Sequence, residues 1–263
     1  MHAPQSVTEG SEDKIPSSNQ RDGKERQAVE MCVHPGDVIK VLIAITLALF
    51  AAHVSGLILS YNTDYEIFRK LSGLFHFGYE WNVPSVFSSS LLLICSIGTF
   101  LIWSLERSGK MNALWILLSV IFLFLAADEL TSIHENFDTP VRNMIGASGV
   151  FYFSWIIPYM IAVIALSILY FRWLFSLPKS VRNIMIASAA IYLSGAVGVE
   201  MLEARHMNNH VNDQGRFVWD LTYDLLITVE EPLEILGLIT FIYALLSYIS
   251  IRYGGVTIRL AKR

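Results

Sequence analysis

Ten carboxylates fall in or beside three apolar stretches of the chain: Asp128, Glu129 and Glu135; Glu200 and Glu203; and Asp220, Asp224, Glu230, Glu231 and Glu234. His134, His206 and His210 accompany them. Carboxylates and imidazoles are the side chains that hold divalent cations and move protons. The nearest cations in sequence, Arg142, Arg205 and Arg216, are too few to neutralise so many acids. A charged side chain at mid-membrane costs about 2.5–3.5 kcal/mol on insertion scales. Water, protonation or a bound cation can relieve that cost. A divalent metal ion (zinc, iron or manganese) is therefore expected, held by His134, Glu203, His206 and Glu231, with Asp128 and Glu234 as further ligands. Glu129 or Glu230 is expected to act as the general base.

Helical spacing sharpens this expectation, because residues three and four apart share a face. Asp128, Ser132 and Glu135 would line one stripe, with His134 off it. Glu203 and His206 form a Glu-x-x-His pair of the kind that di-metal bundles use, here in a single copy. His206 and His210 are an i, i+4 pair with metal-ligand spacing. Asp220, Asp224, Glu231 and Glu234 would follow one stripe, with Glu230 beside it. Pro232 removes a helical hydrogen bond and frees a carbonyl near Thr228. Other polar residues have plainer readings. His53 is expected to be a packing histidine, Ser88, Ser89 and Ser90 to mediate close helix packing, and Asp220 and Asp224 to be solvated. Trp81, Tyr152, Trp155, Trp219 and Tyr223 are expected to form an aromatic belt.

The elements that must position these groups are membrane helices. Of 263 residues 54% are hydrophobic and only 16% charged, and the mean hydropathy is +0.49. Soluble domains carry about 25% charged residues, so a soluble, disordered or collagen-like chain is excluded. The net charge of −4 argues against nucleic acid as a partner. Six segments approach the ~20 apolar residues that a spanning helix needs: 39–60, 84–105, 112–135, 149–174, 183–206 and 219–250. The fold expected is an all-α bundle of six transmembrane helices over 37–254. A disordered cytoplasmic tail, 1–36, would precede it and a short basic tail, 255–263, would follow. Residues 62–83 suit an interfacial helix or loop, and Pro158 is expected to kink the fourth span.

Lysine and arginine are distributed unevenly among the connections. Fourteen fall with the two termini and the second and fourth connections, and five with the others. The positive-inside rule then places both termini in the cytoplasm and the acid-rich helix ends towards the outer leaflet. The set Ala127-Asp128-Glu129, Ser132-Ile133-His134-Glu135, a Gly-x-Glu and Glu230 to Glu234 resembles a pattern in bacterial multi-pass membrane proteins that carries no known activity. That resemblance implies a bacterial plasma membrane. The function expected is a membrane-embedded metal-dependent enzyme, a hydrolase or oxidoreductase, acting on a lipid or other apolar substrate. The alternatives are a proton- or cation-coupled transporter, or a non-catalytic subunit or assembly factor with a protein partner at the outer face.

Overall fold

The computed structural model describes residues 29–63, 65–106, 112–212 and 217–260. The expected tail over 1–28, Arg216 and the Glu135 side chain lie outside the described part. Six helices are long and apolar enough to cross a membrane. They are Pro35–Asn62 (α1), Val83–Leu105 (α3), Asn112–Thr131 (α4), Ile156–Ser176 (α6), the rod Lys179–Asn209 and Leu221–Tyr253 (α9). The chain is an all-α, multi-pass integral membrane protein. Glu66–Gly73 (α2) and Ile133–Ile145 (α5) are short amphipathic helices between spans. The rod comprises Lys179–Leu193 (α7), a π-helical turn Ser194–Val199 and Glu200–Asn209 (α8).

An even number of crossings returns both termini to one end of the bundle. There Val29–Val33 (β1) pairs antiparallel with Val256–Leu260 (β2). The two strands fall within the segments expected as polar tails, 1–36 and 255–263. Backbone groups leaving the last helical turn still need hydrogen-bond partners, and each strand satisfies the other's.

α9 is the central post, with Ile235, Leu238, Ile239, Ile242, Leu245 and Ile249 buried against α1, α3 and α7. The half of the bundle nearer the termini is packed with apolar side chains, among them Leu92, Cys95, Ile102, Trp115, Trp173 and Tyr248. α6 is peripheral and buries only Ile156 and Trp173. Of the serines expected to mediate packing, Ser89 joins two helices, whereas Ser90 is exposed and donates to the Val86 carbonyl of its own helix at 2.6 Å. Ser89 donates to the Ala126 carbonyl at 2.7 Å, and Ser96 to that of Ser119 at 2.8 Å, joining α3 to α4.

Two local features differ from expectation. The third span ends at Thr131, not 135, because Ser132 takes a left-handed conformation with φ of 48°. Asp128 makes the break affordable: its carbonyl accepts the Ser132 N–H at 2.7 Å and its Oδ1 the His134 N–H at 2.9 Å. The carboxylate thus satisfies an orphan donor at the start of α5. Pro158 kinks nothing, because α6 begins only at Ile156. Proline in a first turn removes an N–H that has no helical partner. Pro232, in contrast, sits inside a continuous α9.

Candidate functional site

Where α3 begins and α4 ends, a cavity of about 540 Å³ opens between α4, α6, the α7–α8 rod and α9. It lies in the half of the bundle away from the termini. The acids converge on it. Asp128, Glu129, Glu200, Glu203, Glu230, Glu231 and Glu234 all line it, with Glu80 and Asp138 at its edge, and so does His134. No lysine or arginine is among the described lining residues.

Each helix delivers its acids by a different device. The π-helical turn inserts an extra residue per turn just before Glu200, and such turns often mark functional positions. It turns Glu200 and Glu203 towards α9. Gly195 in that turn lets the rod approach α9 closely: a Cβ there would lie 2.9 Å from the Glu230 carbonyl and 3.0 Å from Glu234 Cγ. One carboxylate oxygen from each of Glu200, Glu203 and Glu230 lies within 4.8 Å of the other two. Glu203 is 3% exposed, and its Oε1 has no hydrogen-bond partner. An unpartnered buried carboxylate oxygen is costly, and this one belongs to the group that a single cation could bridge. The three donors are all oxygens.

The sequence-derived ligand set is therefore only partly assembled. Glu203, Glu231, Glu234, Glu230 and Glu129 share the chamber. His206 does not join them: its Nε2 sits 2.9 Å from Asp220 Oδ1 and its ring stacks on His210 at 4.0 Å. The Glu-x-x-His pair is thus split between two sites. His134 and Asp128 line the chamber but face each other, Nδ1 to Oδ2 at 3.3 Å, while Tyr159 donates to the same Oδ2 at 2.9 Å. Arg142 is committed to Asp138 and, through Nε at 2.8 Å, to the Tyr152 carbonyl. Arg205 is exposed and absent from the lining.

The stripe expected on α9 also divides. Asp224 turns away from the acids. It is 3% exposed and accepts hydrogen bonds from Tyr61 Oη at 2.7 Å, His76 Nε2 at 3.0 Å and Trp219 Nε1 at 2.7 Å. The Gly78 N–H donates to His76 Nδ1 at 3.2 Å, which leaves the proton on Nε2. His53 packs as expected: it accepts the Phe77 N–H at 3.2 Å on Nδ1 and contacts Thr228 Oγ1 at 2.9 Å through Nε2. These bonds bolt the 74–82 segment, with Glu80, to α1 and α9. Sequence spacing could not reveal His76, Glu80, Tyr159 or Tyr192, whose roles depend on contacts across elements. Trp155, Trp219 and Tyr223, expected in an aromatic belt, line the chamber.

Asp220 caps α9. Its Oδ1 accepts the Tyr223 N–H at 2.9 Å, and this backbone donor, followed by His206, holds its carboxyl below the ordinary value of 3.8. A depressed carboxyl contributes stability that is present above its ordinary pKa and lost as pH falls through the folded value. The difference in melting temperature between wild type and Asp220→Asn is therefore expected to be constant above about pH 5 and to shrink below pH ~4. A pH series of thermal melts in detergent checks this.

The matched family can be stated against this geometry. The model of a family described as "Domain of unknown function (DUF8692)" matches residues 42–249. The chain belongs to that family. The match contains every residue that lines the chamber. No curated protein and no solved structure matches the chain.

Proposed function

We propose that the protein is a membrane-embedded metal-dependent enzyme, a hydrolase or oxidoreductase, whose substrate is a lipid or other apolar molecule. One observation carries this reading: Glu203 presents a buried, unpartnered carboxylate oxygen beside Glu200 and Glu230. The chamber they line contains no described lysine or arginine. A cation at that point offsets the mutual repulsion of the acids and satisfies the orphan oxygen. Glu200, Glu203 and Glu230 would be its ligands, and Glu129 or Glu231 would act as general base. This moves Glu230 from base to ligand and Glu231 from ligand to base. An all-oxygen donor set suits a hard cation such as manganese better than zinc. Such a cation would polarise a substrate carbonyl or phosphoryl oxygen.

The chamber has a second chemistry along its side. Leu125, Val163, Leu193, Ala196 and Val197 form an apolar wall beside the carboxylates. An amphipathic substrate would place its polar group at the acids and its hydrocarbon along α6. With both termini cytoplasmic, as the lysine and arginine distribution favours, the chamber belongs to the outer leaflet of a bacterial plasma membrane. Among the described residues the other half of the bundle is packed mainly with apolar side chains and buries no carboxylate, lysine, arginine or histidine, which favours chemistry over transport.

Protein purified without chelator is expected to carry a stoichiometric hard divalent ion by elemental analysis. Glu203→Gln should lower its content at least about tenfold, in line with losses at metal sites. Glu106→Gln, at the opposite end of the bundle beside Tyr248, should leave it unchanged. Wild-type protein that holds no such ion, and cannot be loaded with manganese, would overturn the reading.

A further inference from the structure

The histidine pair that the acid chamber leaves out forms a site of its own. His206 and His210 lie one turn apart at the end of α8, and Asp220 precedes α9. One donor atom from each of the three lies within 4.8 Å of the others. The backbone prepares both sides. His210 Nδ1 is 2.9 Å from the His206 carbonyl, and a carbonyl can only accept. The ring proton is therefore on Nδ1, and Nε2 keeps a lone pair. Orientation of an imidazole by an Nδ1–H to a backbone carbonyl is the outer-shell arrangement common among metal-bound histidines. His206 Nε2 faces Asp220 Oδ1 at 2.9 Å. The Val218 N–H donates to the His210 carbonyl at 3.0 Å, and Val211 bridges Phe217, so the two ends of the α8–α9 connection are already held together.

We infer that His206, His210 and Asp220 form a second divalent-cation site, of zinc-binding character, that clasps the α8–α9 connection at the rim of the acid chamber. Two imidazoles and one carboxylate suit zinc and leave a fourth tetrahedral position for water. The cation replaces the proton shared between His206 and Asp220. Trp219 and Tyr223, on either side of Asp220, both line the chamber, so a cation here fixes one wall of the chamber. The inference does not depend on a metal in the chamber itself, since the two sites share no ligand.

Zinc is the probe. The full chain in detergent, stripped of metal, is titrated with zinc by calorimetry, and the loaded protein is examined by X-ray absorption at the zinc edge. Imidazole scattering is expected in wild type. His210→Ala should weaken binding by about tenfold or more. Asp220→Asn keeps an oxygen to cap α9 and should weaken it comparably, by loss of the anionic ligand. Glu203→Gln should leave this zinc in place while removing the ion of the chamber. Unchanged affinity in His210→Ala or Asp220→Asn would overturn the assignment, as would absence of imidazole scattering. Loss of the zinc in Glu203→Gln would overturn it by moving the ion to the chamber. In wild type, a zinc-loaded clasp beside a chamber that holds no ion and takes up no manganese would overturn the proposed function alone.

Discussion

Asp224→Ala is expected to destabilise the bundle by about 3 kcal/mol, the scale of a hydrogen-bonded charge removed from a buried site. Asp224 accepts from Tyr61, His76 and Trp219, which belong to three different segments of the chain. His76 is as deeply buried as Asp224, and alanine leaves its Nε2–H facing no acceptor. Tyr61 and Trp219 are exposed enough to regain water, so the cost is less than the sum of three orphaned donors. The 74–82 segment would loosen with it, and that segment carries Glu80 and Phe77 to the chamber wall. Unfolding by heat or by sodium dodecyl sulfate titration measures the loss. Asp224→Ala melting within a degree of wild type would show that the network is not a structural bolt.

Gly237→Val is expected to be as damaging, by a steric route. A Cβ at Gly237 would stand 2.7 Å from Tyr192 Cβ and 2.8 Å from both its Cα and N. The obstacle is backbone, which cannot rotate aside, so α7 and α9 must separate. Overpacking costs about 1–3 kcal/mol, and separation also breaks the 2.8 Å hydrogen bond from Ser188 Oγ to the Gly237 carbonyl. Tyr192 and Glu234 line the chamber on either side of this crossing. Bound metal should therefore fall along with stability. Gly98→Ala is the control, since its Cβ would meet the Leu245 Cδ1 tip at 2.8 Å, and a flexible side chain can give way. Equal losses in Gly237→Val and Gly98→Ala would remove the argument from backbone contact.

Particular residues show how much of the site was legible beforehand. Glu230, Glu231 and Glu234 stand out in any linear reading, because acids inside a long apolar run are costly, and all three line the chamber. Glu203 stands out likewise. His206 misleads: its spacing from Glu203 is that of a ligand pair, yet its partner is Asp220, fourteen residues on. The π-helical turn changes which direction each residue faces, and no propensity announces such a turn. Asp128 and His134 were placed on one helix end, but Ser132 breaks that helix. Whether an acid caps a new helix or binds a ligand depends on where the chain turns. Asp224 is buried rather than solvated, since Tyr61 and His76 reach it from distant segments.

Some features of this protein follow from composition alone. Its apolar runs have the length of a bilayer, so the number of crossings and the membrane environment are written into the order of residues. So is the excess of acids over bases near one end, with the electrostatic cost it brings. Which acids meet, which histidine is diverted and which carboxylate oxygen goes unpartnered were decided only when the helices packed. Those outcomes depend on helix rotation, on the π-helical turn and on the close approaches at Gly195 and Gly237. They are contacts between segments far apart in sequence, which hydrophobic patterning along the chain does not encode.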